Sequence, residues 1–599
     1  MIYHCEDHTC NYWDEGEKLP ERCPQCGRKL LRANEADMTG DDWTALGNTL
    51  WDAEASDKKR MVDCFRKAAY LGSAWGVCNL GICMEQGNGV EADPVQAFWF
   101  YQQAVEMGSL NAVCCLGVCY QYGIGTAPDA KQAAELYCKA AEYGSPRGQM
   151  LLARAFHDGI GVEADAAEAV HWVRAAAYQR YGEGMYRLGV CYEYGDGVEQ
   201  NWERAVHWFR EAAESGVSVA MTDLGYCYEK GCGVEQSWEQ AFSWYRRGAE
   251  CGYPVSMSNL GLCYQRGYGV EQNLQEAIKW YEQGAQCGDL QSMHNLACCY
   301  ERGEGVEQNE DRAFYWYRRS AEGGNGDAMC NLGRCYERGY GVEQNWQEAV
   351  KWYEQGAQCG NLQSMHNLAC CYERGEGVEQ NMTEAIRWYT AAAEGGNADD
   401  MYNLGWQYDH GEGVEQDMKK AICWYERAAE QNHPAAMNSL GECYAMGRGV
   451  PRDLETAMEW YRRAAELGEA MADYNMGWHL EQAGKLSEAY AHYRKAADGN
   501  DDSAWWALGR FYENGVVVAQ DGKEARRCYE TGEKLGSVKC KMRLARCKLL
   551  GIGGRRAKNA GLDLCRQALE LAKESSEKED YGYEAEMNLL RRTIAENES

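Results

Sequence analysis

Proline is scarce in this sequence, with 8 residues among 599, and phenylalanine is equally rare. Few prolines permit many helices, because proline breaks the hydrogen-bond ladder inside a helix. Glycine is plentiful, at 67 residues, and glycines that recur at fixed positions mark helix ends. The aromatic residues are dominated by 40 tyrosines and 21 tryptophans. Such a bias is typical of one template copied many times.

The sequence also lacks a long apolar run. No stretch approaches the roughly 20 residues that span a bilayer, and the start carries no basic segment followed by an apolar one. We therefore expect a soluble, cytoplasmic protein with no signal peptide and no membrane partner. The formal net charge of −31 disfavours nucleic acid and favours basic proteins or peptides as partners.

A repeat with a period of 36 residues occupies most of the chain. It is marked by a block of the form Leu-Gly-x-Cys-Tyr-x-x-Gly-x-Gly-Val, present in about fifteen copies of varying regularity. Residues 271–309 and 343–381 are nearly identical, which indicates duplication of a two-repeat unit. The clearest copies begin at Leu80, Leu116, Leu188, Leu224, Leu260, Leu296, Leu332, Leu368, Leu404 and Leu440.

Each copy predicts two helices. Counting from the leading leucine as position 0, apolar or small residues at −4, −3, 0, +3 and +4 have helical spacing, and we name this segment helix A. Glycine at +7 is expected to be left-handed just past its end. Helix B opens at +13 with a capping residue, often followed by Glu three positions later, a capping-box pattern exemplified by Asn273 and Glu276. Its apolar stripe includes Trp at +20 and Tyr at +21, and Gly at +28 ends it.

This arrangement resembles the SEL-one-like repeat (SLR) family, a relative of the tetratricopeptide repeats, over roughly residues 37–572. The matching pattern is LGxxYxxGxGV, then Ala, then Trp-Tyr-x-x-Ala-Ala-x-x-Gly. The resemblance implies an all-α fold, an α/α solenoid of helix-turn-helix repeats that binds partner proteins or extended peptides along its concave face. A purely structural spacer is the alternative. The predicted domains are 1–32, a solenoid at 37–574 and a polar capping helix at 575–599.

Two copies depart from the pattern. The copy at Leu46 is two residues short. The copy at Met476 is four residues short and has lost the glycine-rich loop, so it is more similar to a plain tetratricopeptide unit. We expect the stacking of repeats to change locally there.

The 30 cysteines would suit a secreted disulfide framework, but ten of them occupy position +3 of helix A. One small apolar side chain at the same place in each copy is typical of buried free thiols. Secreted relatives staple the two helices of a repeat with disulfides, and helix B here lacks a regular cysteine. Disulfides and metal binding are the alternatives. The ten are Cys83, Cys119, Cys191, Cys227, Cys263, Cys299, Cys335, Cys371, Cys443 and Cys547.

The first 32 residues predict a different module. Cys5 and Cys10 are followed after twelve residues by Cys23-Pro24-Gln25-Cys26-Gly27, the spacing of two metal-binding knuckles. The segment resembles rubredoxin-like zinc ribbons, which implies one structural zinc ion held by Cys5, Cys10, Cys23 and Cys26. Iron is the alternative metal, His8 is an alternative ligand to Cys10, and free thiols are the alternative to any metal site.

The predicted peptide-binding residues lie on helix A. Positions −1, +2 and +6 share one face, and position −1 is repeatedly asparagine. The family resemblance implies that this face lines the inner surface, where an asparagine ladder can hold a peptide backbone. The alternative is that these amides bond neighbouring helices or face water. The predicted ladder is Asn259, Asn295, Asn331, Asn367 and Asn403.

Two charged features have a structural and a functional interpretation. Acid-base pairs at +5 and +6, such as Glu337-Arg338, favour inter-repeat ion pairs, with a charged groove floor as the alternative. Residues 539–558 are basic against the acidic background. They either neutralise acidic helices or contact an acidic partner or RNA. Because aromatic residues are missing from this stretch, we expect no nucleic-acid partner.

The sequence contains no constellation that predicts an enzyme. It has no HExxH, GxSxG or Walker lysine motif, and its GxG pairs are turns between helices. Some members of the resembling family have been described as β-lactamase-like hydrolases, but the SxxK motif is missing as well. We therefore expect a binding protein without catalytic residues.

Overall fold

The computed structural model describes residues 2–5, 13–15, 30–32, 38–51, 55–578 and 583–598. Two units make up the chain, Met1–Asn309 (unit 1) and Glu310–Ser599 (unit 2). From Gly40 onward the described elements are helices, and the first thirty alternate as helix A and helix B, which gives fifteen pairs. The predicted helical solenoid of about fifteen helix-turn-helix repeats is thereby confirmed.

Unit 1 holds three strands and fifteen helices among its described residues. They are β1 (Ile2–Cys5), β2 (Trp13–Glu15), β3 (Leu30–Arg32), α1 (Gly40–Thr49), α2 (Ala55–Tyr70), α3 (Ala74–Gln86), α4 (Pro94–Glu106), α5 (Leu110–Tyr122), α6 (Ala130–Glu142), α7 (Pro146–Asp158), α8 (Ala166–Tyr178), α9 (Gly182–Tyr194), α10 (Trp202–Glu214), α11 (Ser218–Lys230), α12 (Trp238–Glu250), α13 (Pro254–Arg266), α14 (Leu274–Gln286) and α15 (Leu290–Arg302).

Unit 2 holds sixteen helices among its described residues. They are α16 (Glu310–Glu322), α17 (Gly326–Arg338), α18 (Trp346–Gln358), α19 (Leu362–Arg374), α20 (Met382–Glu394), α21 (Ala398–His410), α22 (Met418–Glu430), α23 (Pro434–Met446), α24 (Leu454–Glu466), α25 (Ala470–Gln482), α26 (Leu486–Asp498), α27 (Asp502–Asn514), α28 (Gly522–Lys534), α29 (Val538–Leu550), α30 (Lys558–Lys578) and α31 (Glu584–Glu598).

The three short strands form one antiparallel sheet in the order β2–β1–β3. Tyr3 of β1 lies opposite Asp14 on one side and Arg32 on the other. Cys5 ends β1, but its side chain lies outside the described residues. The other predicted zinc ligands, Cys10, Cys23 and Cys26, and the alternative ligand His8 also lie outside the described residues.

The helix ends follow the predicted capping chemistry. Gly267, at +7, ends α13 with a φ of 73°. Asn273 caps α14, its side-chain oxygen accepting a hydrogen bond from the backbone N–H of Glu276 at 3.1 Å. The Glu276 carboxylate pairs with Lys279 at 2.5 Å. The predicted capping box is therefore half formed here, because a lysine one turn on in the helix holds the glutamate.

Glycine at +9 lets each loop pack onto the preceding repeat. Gly269 has a φ of 67°, and a Cβ there would lie 2.1 Å from the carbonyl oxygen of Trp238 at the start of α12. The loop backbone thus approaches a neighbouring helix more closely than any side chain allows. This contact fixes the spacing of adjacent repeats.

The buried core residues recur with the 36-residue period of the sequence. The leucine at position 0 and the tyrosine at +21 are buried in most copies, as for Leu332 and Tyr353. The tyrosine hydroxyl donates to the residue at +5, and the Tyr353–Glu337 distance is 2.6 Å. In copies that keep this tyrosine and its acceptor at +5, such as α17–α18, the two helices are therefore joined by an apolar contact and by one hydrogen bond at the edge of the pair.

The short copy at Met476 keeps this arrangement despite its missing loop. Three residues, 483–485, join α25 to α26, where a regular copy such as α13–α14 uses seven, 267–273. The Tyr493 hydroxyl still donates to Glu481 at 2.7 Å. The loss of the loop therefore leaves the helix pair intact.

The end of the chain differs in its boundaries from the predicted capping helix. Residue 575 falls inside α30, which continues to Lys578, and the last helix is α31. The helix α30 is long because its apolar stripe continues through Ala568 and Ala572, both fully buried. Met587 and Leu590 of α31 are buried in the same cluster. The final helix is thus a packed element with an apolar inner face.

Candidate functional site

The predicted asparagine ladder lies on five A helices at equivalent positions. Each asparagine precedes a buried core leucine and is half-buried itself. Two of the five lie in unit 1 and three in unit 2. They are Asn259 on α13, Asn295 on α15, Asn331 on α17, Asn367 on α19 and Asn403 on α21.

Hydrogen bonds distinguish the members of the ladder. Asn295 accepts from Gln291 at 2.9 Å, and Asn367 accepts from Gln363 at 3.2 Å. Asn367 also donates to the Cys330 sulfur at 3.5 Å, across to the neighbouring A helix. The amide groups are thus partly engaged within the protein, which agrees with the alternative interpretation that they bond neighbouring helices.

Other ladder members leave their amides available. The side chains of Asn259 and Asn403 form no hydrogen bond with any residue that the structure describes. A half-buried amide without a partner still requires hydrogen bonds, which water or a bound peptide backbone can supply. These two positions therefore offer a donor and an acceptor to a ligand.

A cavity of about 580 Å³ lies on the same face in unit 1, between α7, α8 and α9. Positions −1, +2 and +6 of helix A contribute to its lining, which is the predicted stripe. Arg187 stands at −1, where other repeats carry asparagine, and Tyr194 at +6 is 73% exposed. The floor is apolar and includes Val170 and Val173 of α8.

Charged groups surround the cavity. His157 lies between two carboxylates, 2.6 Å from Asp158 and 3.3 Å from Asp196. The hydrogen bond with His157 lowers the pKa of the Asp158 carboxyl, with a contribution from Arg154. Arg187 forms no ion pair with any residue in the described part of the chain. An apolar floor beside an unpaired guanidinium suits an amphipathic side chain or a carboxylate of a peptide.

Sequence reasoning missed this cavity as a particular site. The available signal was Arg187 at position −1, within four successive repeats, from Cys115 to Asp223, that carry no asparagine at this position. The depth of the cavity depends on how α7, α8 and α9 pack, and a linear pattern does not contain that information.

The acid-base pairs at +5 and +6 act within one repeat. The glutamate at +5 accepts from the tyrosine at +21, as Glu337 does from Tyr353. Arg338 is paired with Glu337 at a long 3.9 Å, and Arg374 with Glu376 at 3.9 Å. The prediction of inter-repeat ion pairs is wrong for these arginines, because each is paired with a glutamate of its own repeat.

The basic stretch 539–558 neutralises acidic groups of neighbouring helices. Arg543 donates to both oxygens of Glu586 on α31, at 2.6 and 2.7 Å, and also pairs with Glu513 on α27. Arg546 pairs with Glu513 as well. Buried ion pairs of this geometry hold the last helices together. The structural interpretation of this stretch is therefore the one that the contacts support.

The cysteines from Cys64 onward are free thiols in the described part of the chain. Those at +3 are mostly buried, and burial raises the pKa of Cys83 and Cys371 to about 12. Such thiols stay protonated and unreactive at neutral pH. Within the described residues, no group of three or more His, Cys, Asp or Glu side chains is arranged to hold a metal ion.

Comparison with known proteins places these repeats in a family. The Sel1 repeat model matches thirteen segments: residues 76–109, 112–145, 146–181, 182–217, 218–253, 254–289, 290–325, 326–361, 362–397, 398–433, 434–469, 470–501 and 504–537. Among curated proteins, no relative matches the chain. No described helix is long and apolar enough to cross a bilayer.

Solved structures of Sel1-type repeat proteins are also similar to this chain. A protective antigen of uropathogenic Escherichia coli strains, c5321, which displays an SLR fold, is 32% identical over 75% of this chain and 97% of its own, with a TM-score of 0.52. A Sel1 repeat protein from Oxalobacter formigenes is 33% identical over 41% of this chain and 96% of its own, with a TM-score of 0.38. Helical solenoids of Sel1 and tetratricopeptide type are protein-interaction scaffolds, and no enzymatic relative is indicated. The chain belongs to the Sel1 repeat family.

Proposed function

We propose that this scaffold binds extended peptide segments of partner proteins on the concave face formed by positions −1, +2 and +6 of its A helices. The observation that carries the proposal is the cavity of about 580 Å³ in unit 1, which these positions line together with an apolar floor. A side chain of the peptide enters the cavity, and a carboxylate beside it pairs with Arg187.

The available amides extend the same surface within each unit. Asn259 in unit 1 and Asn403 in unit 2 present side chains that no described residue bonds. A peptide backbone offers one N–H and one C=O per residue, which a side-chain amide satisfies in pairs. The ladder therefore holds the backbone, and the cavity selects a side chain.

The ladder is tested by replacing Asn331, Asn367 and Asn403 of unit 2 together with alanine. Each lost hydrogen bond costs about 1 kcal/mol, so the triple variant should bind a partner roughly a hundredfold more weakly. Partners are captured from a native lysate on the wild-type protein, identified by mass spectrometry, and then titrated against each variant.

A matched control uses amides on helix B of the same unit. Gln355 and Gln358 of α18 are exposed, and their replacement with alanine should leave binding unchanged. Circular dichroism checks that both variants fold. Equal binding by the ladder variant and the control would reject the ladder, and a wild-type bait that captures no partner would favour the spacer.

The cavity has its own variant. Arg187→Ala removes the unpaired cation while leaving the apolar floor in place. If a peptide carboxylate pairs with it, affinity should fall about tenfold or more, because hydrogen bonds to charged groups contribute about 1.5–3 kcal/mol. Binding that is insensitive to both Arg187→Ala and the ladder variant would place the partner on another face.

We further propose a zinc ribbon at residues 1–32, ahead of the helical array, in a cytoplasmic protein. The cysteine spacing supports the ribbon, and the free thiols from Cys64 onward suit a reducing compartment. Metal analysis should give about one zinc per chain, and Cys23→Ser with Cys26→Ser should abolish it. A full chain that purifies without metal, or with iron, would refute the zinc assignment.

A further inference from the structure

A histidine and a buried aspartate connect two neighbouring A helices of unit 2. His366 on α19 places Nδ1 2.6 Å from Oδ1 of Asp400 in the first turn of α21. Asp400 is fully buried, and its other oxygen has no hydrogen-bond partner among the described residues. Burial raises the pKa of the Asp400 carboxyl, whereas the hydrogen bond with His366 lowers it, so the imidazole is the partner that stabilises the carboxylate. The aspartate is therefore held as the acceptor for the imidazole.

A cysteine lies on the other side of the imidazole. Cys370, one turn further along α19, places Sγ 3.6 Å from Nε2 of His366. The Tyr389 hydroxyl of α20 lies 3.3 Å from the same sulfur and is itself bonded to Glu373. Cys370 is half-buried, in contrast to the fully enclosed Cys371 beside it. The imidazole thus lies between the carboxylate of Asp400 and the sulfur of the half-buried Cys370.

The carboxylate fixes the tautomer of the imidazole. Because Asp400 accepts from Nδ1–H, the Nε2 atom of His366 faces Cys370 ready to take or return the thiol proton. The hydrogen bond with Asp400, followed by that with Cys370, raises the pKa of His366 to about 10. The imidazole is therefore a strong proton acceptor that lies beside the Cys370 sulfur.

The duplicated segment supplies an internal comparison. Residues 290–309 and 362–381 have the same sequence, and His294 Nε2 lies 3.7 Å from Cys298 Sγ in the first copy. The residue 34 positions after His294 is Ala328, where the second copy has Asp400. At His294 the Nδ1 atom instead faces the amide nitrogen of Gln291 at 3.3 Å.

This difference changes which nitrogen of the imidazole ring carries the hydrogen. The Gln291 amide nitrogen can only donate, so Nδ1 of His294 accepts and Nε2 carries the hydrogen. A neutral imidazole in that tautomer has no lone pair to take the thiol proton of Cys298. The two cysteines therefore share their local sequence and partial burial but differ in the group that faces Nδ1 of the neighbouring imidazole.

We propose that Cys370 is a nucleophilic thiolate, activated by His366 and Asp400, and that it is a site of oxidation by small hydroperoxides. Nothing in the scaffold function requires such a group. His366 takes the thiol proton, and the thiolate attacks the terminal oxygen of the hydroperoxide. An S–O bond forms while the O–O bond breaks, and the departing alkoxide or hydroxide takes the proton from His366. Sulfur loses two electrons to the peroxide, giving a sulfenic acid and an alcohol or water.

The test compares the two cysteines within one intact protein. The full chain is treated with hydrogen peroxide at pH 7 in the presence of dimedone, which traps sulfenic acids. Tryptic peptides 280–302 and 352–374 differ in sequence only at Asp289 versus Asn361, so fragment masses assign the label to one copy. Cys370 should react about tenfold faster than Cys298 or more, since an ordinary thiol is only a few per cent ionised at pH 7.

Two variants separate activation from accessibility. Asp400→Asn keeps the shape of the side chain but removes its charge, and it should lower the rate at Cys370 towards that of Cys298. Gln363→Ala, which alters an exposed neighbour on α19, should leave the rate unchanged. Equal rates at the two cysteines of the wild-type chain would overturn the proposal, whether or not the Asp400 variant folds. An unchanged rate in a folded Asp400→Asn protein would overturn it as well.

Discussion

At the scale of single residues, the tyrosine at +21 shows how one hydrogen bond recurs through the array. Its ring fills the space beside the helix A glycine or alanine at +1, and its hydroxyl donates to the residue at +5. Burial, followed in Tyr353 by the hydrogen bond to Glu337, raises the pKa of this hydroxyl far above its ordinary value. The hydroxyl therefore remains a donor at every physiological pH.

Tyr353→Phe should lower the free energy of unfolding by about 1–3 kcal/mol, because Glu337 loses its donor in a half-buried position. Tyr425 provides the control. Asp409 replaces glutamate at +5 there and pairs with Arg448 at 3.0 Å, so the Tyr425 hydroxyl has no well-formed hydrogen bond in the described chain, only a loose contact with Ser439.

Tyr425→Phe should therefore be neutral or slightly stabilising, since it removes a buried hydroxyl without a firm partner. Urea unfolding followed by circular dichroism measures both variants. Equal destabilisation by the two substitutions would show that ring packing, rather than the hydrogen bond at +5, determines the effect.

At the scale of elements, the loop between helix A and helix B sets how repeats join. In a regular repeat the seven-residue loop brings glycine at +9 against the start of the preceding helix B, as Gly269 does at Trp238. In the short copy three residues suffice to connect α25 and α26. The loop is therefore unnecessary for the helix pair itself and serves the contact between repeats.

Gly269→Ala should destabilise unit 1 by more than Gly288→Ala. Both glycines have positive φ, 67° and 89°, so both substitutions carry the backbone strain of about 1 kcal/mol. A Cβ at Gly269 would meet backbone at 2.1 Å, whereas a Cβ at Gly288 has no atom within 4 Å among the described residues. The difference between their unfolding midpoints isolates the inter-repeat contact, and equal midpoints would contradict that role.

At the scale of the whole molecule, the sequence predicts the fold far better than the site. Leu332, Gly267 and Asn273 each act within their own repeat, so the 36-residue period contains the information that places them. The Arg187 cavity and the His366–Asp400 bond depend on side chains from different repeats whose distance is set by stacking. An isolated histidine in the sequence gives no sign that an aspartate 34 residues later is its partner.

The zinc ribbon, the ladder function and the domain limits stay predictions of the sequence. The ladder asparagines do lie where the pattern placed them, on equivalent turns of five A helices. Whether an amide such as Asn367 bonds a ligand or its own neighbours depends on small differences in hydrogen-bond geometry. Such differences are decided by the surrounding side chains, here Gln363 and Cys330, and not by the residue type.

The joining of each repeat to its neighbours also governs how the chain acquires its structure. Within each unit, the principal contacts connect helices that are at most two elements apart. Contacts this local in sequence give a low contact order, so little loop-closure entropy opposes folding and each unit should form rapidly. During synthesis, the partner on which a helix pair packs follows within the next few dozen residues. The repeats of a unit can therefore fold in order from the N-terminus, each new repeat packing on the one already folded.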